Sequence, residues 1–72
     1  MNNKEKFDVL FRHTYPKLFF YARSIVGEES DAEDVVEEVF CELWAHIDTV
    51  EMGDKIEGFL YRAVYTRSLN LV

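Results

Sequence analysis

The stretch "SDAEDVVEEVFCELW", residues 30–44, decides the fold. Its apolar residues Ala32, Val35, Val36, Val39, Phe40 and Leu43 recur at intervals of three and four, the spacing of one buried face of an α-helix, and Trp44 sits at the margin of that face. Ser30 followed by Glu33 has the form of a capping box, hydroxyl to the Glu33 amide and carboxylate back to the Ser30 amide, so the pattern predicts a helix that starts at Asp31. The same fifteen residues carry six carboxylates and no basic group, a concentration of charge that a core-forming helix does not need.

Outward toward the N-terminus, Phe7, Leu10, Phe11, Tyr15, Leu18, Phe19, Ala22, Ile25 and Val26 keep the same helical rhythm. Pro16 falls inside it and predicts either a kinked helix or two helices that meet there, and Gly27 offers the left-handed stop. Outward toward the C-terminus the rhythm fails between Ile47 and Glu57, where Asp48, Thr49, Gly53 and Asp54 are turn formers, and a loop of about ten residues is expected. A last helix runs from about Ile56, with Ile56, Phe59, Leu60, Ala63, Val64 and Leu71 on one side, and the sequence breaks off within that helix or at its end. No period-two alternation signals a strand. The expectation is an all-α bundle of three or four helices with Leu18, Ala22, Val36, Val39, Leu43, Phe59, Leu60 and Val64 in one core.

Seventy-two residues make one small domain, and 49% hydrophobic with 15% aromatic content is too rich for a disordered chain. The longest apolar run, "LFFYA", is far too short to span a membrane, and no signal-peptide pattern follows the polar start, so a cytoplasmic location is expected. Cys41 is the single cysteine and rules out an internal disulfide. The net charge of −6 speaks against a phosphate-binding surface for the chain as a whole, but the charge is unevenly spread. Residues 1–27 hold five Lys/Arg against two acids, residues 28–57 one Lys against twelve acids, and residues 58–72 two Arg and no acid.

Opposite the apolar stripe of the central helix stand Asp34, Glu37, Glu38, Cys41 and Ala45, flanked by Glu33, Glu42 and Trp44. Glu33 with Glu37, Asp34 with Glu38, and Glu38 with Glu42 are like charges four apart, each costing about 0.2–0.5 kcal/mol. The helix dipole compensates acids in the first turn only, which covers Asp31, Glu33 and Asp34. The remainder has two readings: a solvated face that keeps a small protein in solution, or a docking surface for a basic partner, with Trp44 as an anchor at its edge. Glu42 and His46 lie four apart, but a single Glu-x-x-x-His does not make a carboxylate metal site, and no metal or other cofactor is expected. No nucleophile–base order, Gly-rich phosphate loop or isolated carboxylate pair suggests an enzyme.

The order "DAEDVVEEVFCELW", preceded by "FDVLFRHTYPKLFFYARSIVG" and followed by "FLYRAVYTRSLNLV", resembles region two of the bacterial extracytoplasmic-function (ECF) sigma factors of RNA polymerase, over nearly the whole chain. The most specific part is the pattern from Ala32 to Trp44. The resemblance implies a region-two domain spanning residues 1–72, without the second helical domain, region four, that such factors carry. It also implies that the acidic helix docks on the clamp helices of the largest subunit of core RNA polymerase, with Asp34, Glu37, Glu38, Cys41 and Trp44 as the docking residues. Glu37 stands where the family often has Gln.

By the same resemblance, the loop 47–57 and the last helix open promoter DNA and read the non-template strand of the minus-ten element. "FLYRAVYTR" interleaves Tyr61, Arg62, Tyr65 and Arg67, and single strands are held by aromatic stacking beside positive charge. Lys55, Thr66 and Asn70 complete the candidate DNA set; Thr66 stands where many relatives have Asn. Taken without the resemblance, aromatics at this spacing read as core. The alternative function is a sigma-like interaction module that binds polymerase or an anti-sigma factor without reading DNA.

Overall fold

In the computed structural model, which describes residues 2–72, three helices and one short turn follow in order: α1 (Asn3–Val26), α2 (Glu29–Ala45), a 3₁₀ turn (Ile47–Thr49) and α3 (Asp54–Leu71). α1 is the spine on which both other helices pack, and no strand occurs among the described residues. The all-α expectation holds, with three helices.

α1 starts where the Asn2 side chain accepts the Glu5 amide at 2.8 Å and ends at Gly27, whose φ of 85° is the left-handed stop expected of it. Pro16 neither ends nor divides the helix. Both Pro16 and Arg12, whose carbonyl loses its intrahelical donor, lie on the exposed face, where water can take that carbonyl. The inner face holds the rod together through Leu10, Thr14, Leu18 and Ala22, each four residues from the last. Thr14 is a buried polar member of this line that an apolar pattern does not show; its hydroxyl donates to the Leu10 carbonyl at 2.5 Å.

α2 buries Ala32, Val35, Val36, Val39, Phe40 and Leu43, all six of the expected stripe. Its start is different. Glu28 is the extended residue before the helix, its carbonyl accepts the Ala32 amide at 3.0 Å, and the helix begins at Glu29. Ser30 therefore lies inside the first turn and the capping box with Glu33 does not form; no side chain caps this end, and Glu29 and Asp31 face the positive end of the dipole instead.

The expected ten-residue loop is also shorter. Ile47 is buried and draws the 3₁₀ turn onto the core, leaving only Val50–Gly53 irregular before α3. α3 turns Leu60, Val64 and Ser68 inward, a narrow line with a spacing of four. Phe59, expected in the core, is about half exposed at 50%, as is Leu71 at the end of the apolar side of α3. Phe59 is rotated about 100° from Leu60 around the helix. It sits on the flank with Ile56 and Ala63, beside the end of α2.

Candidate functional site

The inward stripe of α2 forces Asp34, Glu37, Glu38, Cys41 and Glu42 outward, and all five are exposed. The structure divides this face into two flanks. On the side of α1, Trp44 is 49% exposed, with its ring edge-on to Phe7 at 5.3 Å. Phe7 also meets Phe40 at 5.9 Å, and Phe11 lies 4.9 Å from Phe40. Together with Lys4, Glu37 and Cys41 these rings line an open apolar groove between α1 and α2. Phe7 and Phe11 are therefore candidate site residues that periodicity assigns to the core alone. Their signal in the sequence is an excess: Phe7, Phe11, Tyr15 and Phe19, four apart throughout, make an aromatic ribbon broader than one helix contact requires. Burial first, and then the charges of Glu33 and Glu37, push the Tyr15 phenol above its ordinary 10.0, so the negative field of α2 reaches across to α1.

On the side of α3 the acidic face is not free. Arg67 donates from Nη1 to Glu38 Oε2 at 3.1 Å and from Nη2 to Glu42 Oε2. A stripe without a basic neighbour in sequence thus receives one from another helix, and the repulsion between Glu38 and Glu42 is relieved. Arg67, a candidate for DNA, stands at the border between the two candidate surfaces.

The remaining DNA candidates separate by their position around α3. Lys55, Arg62, Thr66 and Asn70 are exposed and follow one another at seven, four and four residues, which places them along one stripe. Phe59 falls on this stripe, four residues after Lys55 and three before Arg62, and shares a surface hollow with Arg62, Thr66 and Asn70. It is the aromatic group that sequence reasoning placed in the core. Tyr65 is 46% exposed at the edge of the stripe. Tyr61 is half-buried, packed on the core and edge-on to Tyr21 of α1 at 5.2 Å, so the two tyrosines do not form a pair. Lys55 lies in the first turn of α3 rather than in a loop.

Where the end of α2, the 3₁₀ turn and the start of α3 converge, a cavity of about 410 Å³ opens beside Phe59. Leu43, Val50, Ile56 and Ala63 give it apolar walls, and Glu42, Glu51 and Lys55 supply charge. Opposite the acidic helix, Lys17 donates to Glu57 at 2.8 Å and ties α1 to α3, with His13 at 3.9 Å from the same carboxylate. That hydrogen bond holds Glu57 below its ordinary 4.5 and Lys17 above its ordinary 10.5. Among the described residues no three His, Cys, Asp or Glu side chains gather as a metal site would need, and no helix is long and apolar enough to cross a membrane.

The sequence model of one family, Sigma-70 region 2, matches residues 10–72, which takes in most of α1 and all of α2 and α3. No curated protein and no solved structure gives a significant match.

Proposed function

The chain belongs to the Sigma-70 region 2 family, and from that premise we propose that it is the region-two domain of an ECF sigma factor in which α2 docks on polymerase and α3 reads melted DNA. Membership makes it a sigma-factor module of transcription initiation, a family of RNA polymerase and promoter-DNA binding rather than of enzymes. The docking surface is Asp34, Glu37, Glu38, Cys41 and Trp44, extended onto α1 by Phe7 and Phe11, and its partner is the pair of clamp helices of the largest polymerase subunit. A groove of aromatic rings rimmed by carboxylates suits a helix that presents apolar and basic side chains together.

The reading surface is the stripe Lys55, Phe59, Arg62, Thr66 and Asn70, with Tyr65 at its edge, and its ligand is the non-template strand of the minus-ten element. One observation carries this reading: an exposed phenylalanine stands between a lysine and an arginine on a single helix face, beside an apolar cavity. Stacking of a base on an aromatic face beside positive charge holds single strands. The cavity suits an unstacked base better than a phosphate, because Glu42 and Glu51 repel phosphate while their oxygens accept hydrogen bonds from base amino and ring N–H groups. Arg67, held between Glu38 and Glu42, belongs to the frame that joins the two surfaces, and Tyr61 supports α3 against α1.

The test is charge reversal at Glu37, which lies on the groove side and has no ion-pair partner among the described residues. Glu37→Lys replaces the like-charge pair with Glu33 by an opposite-charge one, so helicity is retained. Binding to core RNA polymerase falls sharply, and falls less at high salt, because the substitution loses attraction and adds repulsion. Glu38→Lys is the poorer probe, since it also breaks the pair with Arg67. Equal binding of wild type and Glu37→Lys in a pull-down would leave α2 as a merely solvated face.

A further inference from the structure

The first turns of α1 lie outside the span that matches the family, residues 10–72, yet they are tied to the turn between α2 and α3. The Lys6 ammonium donates to the Val50 carbonyl at 2.8 Å and to the Ile47 carbonyl at 3.3 Å, both part-buried contacts. Asn3, one turn earlier on the same helix, donates from its side-chain amide to the Asp48 carboxylate. Ile47 is already buried in the core, and its carbonyl also accepts the Val50 amide at 3.2 Å, so Lys6 closes the 3₁₀ turn from outside. A lysine suits this role because its ammonium offers three donors and no acceptor to a site made of carbonyl oxygens.

The turn that Lys6 holds is a wall of the cavity. Thr49 and Val50 line it on one side, and Ile56 and Phe59 of α3 on the other, with residues 51–55 between the two walls in sequence. The irregular residues 50–53 supply no side-chain cap for α3, and Gly53 precedes the helix in extended backbone. Within the turn, Thr49 donates its amide and its hydroxyl to the His46 carbonyl at 3.0 and 2.9 Å; the polar contacts that reach the turn from another element come from Asn3 and Lys6.

From this arrangement we infer that Lys6 is a positioning residue for promoter reading: it touches no base itself, but its ammonium fixes the Ile47–Val50 turn as the wall against which an unstacked base of the non-template strand is seated opposite Phe59. This rests on the reading of the cavity as a base seat, and it adds a residue outside the matched family span to that seat.

The experiment uses the full chain bound to bacterial core RNA polymerase and a fluorescent single strand carrying a minus-ten segment, together with versions of that strand in which each base in turn is replaced by an abasic site. Lys6→Met keeps the alkyl stem and removes the donors. It binds polymerase as the wild type does and captures the strand about five- to tenfold more weakly, the scale of one ordinary net hydrogen bond. Lys6→Arg restores most of the capture, because a guanidinium also donates to two carbonyls. The difference between wild type and Lys6→Met disappears on the one strand whose abasic position empties the cavity, and amide exchange quickens at Thr49 and Val50 but not at Leu43 and Leu60. Equal loss on every abasic strand would make Lys6 a general phosphate contact and overturn the inference. So would faster exchange throughout the bundle, which would make it a residue of the fold. Unchanged capture by Lys6→Met while Phe59→Ala weakens it would remove Lys6 from the seat and leave the seat standing; unchanged capture by both would remove the seat as well.

Discussion

Phe59 and Tyr61 are two residues apart on the same helix, and exchanging their expected roles gives the sharpest test of which face of α3 reads DNA. Phe59 is half exposed, so Phe59→Ala gives up about half of the 1.5–3 kcal/mol that full burial of such a side chain is worth, roughly 1 kcal/mol of stability. If a base stacks on the ring, the same substitution costs about 1–3 kcal/mol of capture, or about five- to 150-fold in Kd. Tyr61 is packed on the core and on Tyr21, so Tyr61→Ala loses an edge-to-face pair worth about 0.5–1.5 kcal/mol in addition to buried area. Its effect falls on folding. The measurements are thermal unfolding of each variant and fluorescence anisotropy of a minus-ten single strand with the chain bound to core polymerase, below the melting transition of both. Phe59→Ala is expected to unfold slightly earlier and to capture the strand much more weakly; Tyr61→Ala is expected to unfold distinctly earlier and to capture it normally while folded. Weaker capture by Tyr61→Ala than by Phe59→Ala, with both variants folded, would refute the placement of the reading stripe on the Phe59 side.

Ser68 is fully buried and its hydroxyl has no hydrogen-bond partner, so Ser68→Ala removes an uncompensated polar group and raises stability by about 1 kcal/mol, measured by urea unfolding. The Lys17–Glu57 pair sets limits at both ends of the pH scale. Glu57 titrates lower in the folded state, so its contribution is present above its ordinary 4.5 and is lost as pH falls through the folded value. Lys17 titrates higher in the folded state, so its contribution is present below its ordinary 10.5 and is lost as pH rises through the folded value. The melting temperature of the wild type should exceed that of Lys17→Met at neutral pH, and the two should converge well below 4.5 and well above 10.5; a gap that persists at low pH would mean that packing, not the charge pair, joins α1 to α3.

What the sequence made legible follows from how local each signal is. The six inward residues of α2 repeat over more than three turns on one face, so periodicity identifies all of them, and with them the outward set Asp34, Glu37, Glu38 and Cys41. The start of α2 differs from the expectation because a favourable side-chain cap at Ser30 is outweighed by two more residues of helix, with the Ala32 amide bonded to the Glu28 carbonyl. The loop 47–57 looked unstructured because what orders it is distant: the burial of Ile47 against the core and the Lys6 contacts across more than forty residues. Phe59 failed for another reason. Hydrophobicity does not tell an aromatic ring at the margin of an apolar face from one inside it, and Ser68, a polar residue, completes the inner line that Phe59 was expected to share.

The accumulation of carboxylates on α2 can now be divided by cause. Glu29 and Asp31 lie in the first turn and are favoured by the helix dipole. Glu38 and Glu42 share the Arg67 guanidinium, so the two acids on the α3 side are largely compensated within the chain. Glu33, Asp34 and Glu37 are left, all exposed, and of the three Glu37 is the one at the rim of the aromatic groove, four residues from the like charge of Glu33. A charge that served solubility alone would not need the edge of Phe7, Phe11 and Trp44, and a purely structural one would have a partner as Glu38 and Glu42 do. The uncompensated acid beside the exposed rings is therefore the point on α2 where a cation from another molecule gains most, which is why reversal at Glu37, more than at any other acid of the stripe, separates a docking helix from a solvated one.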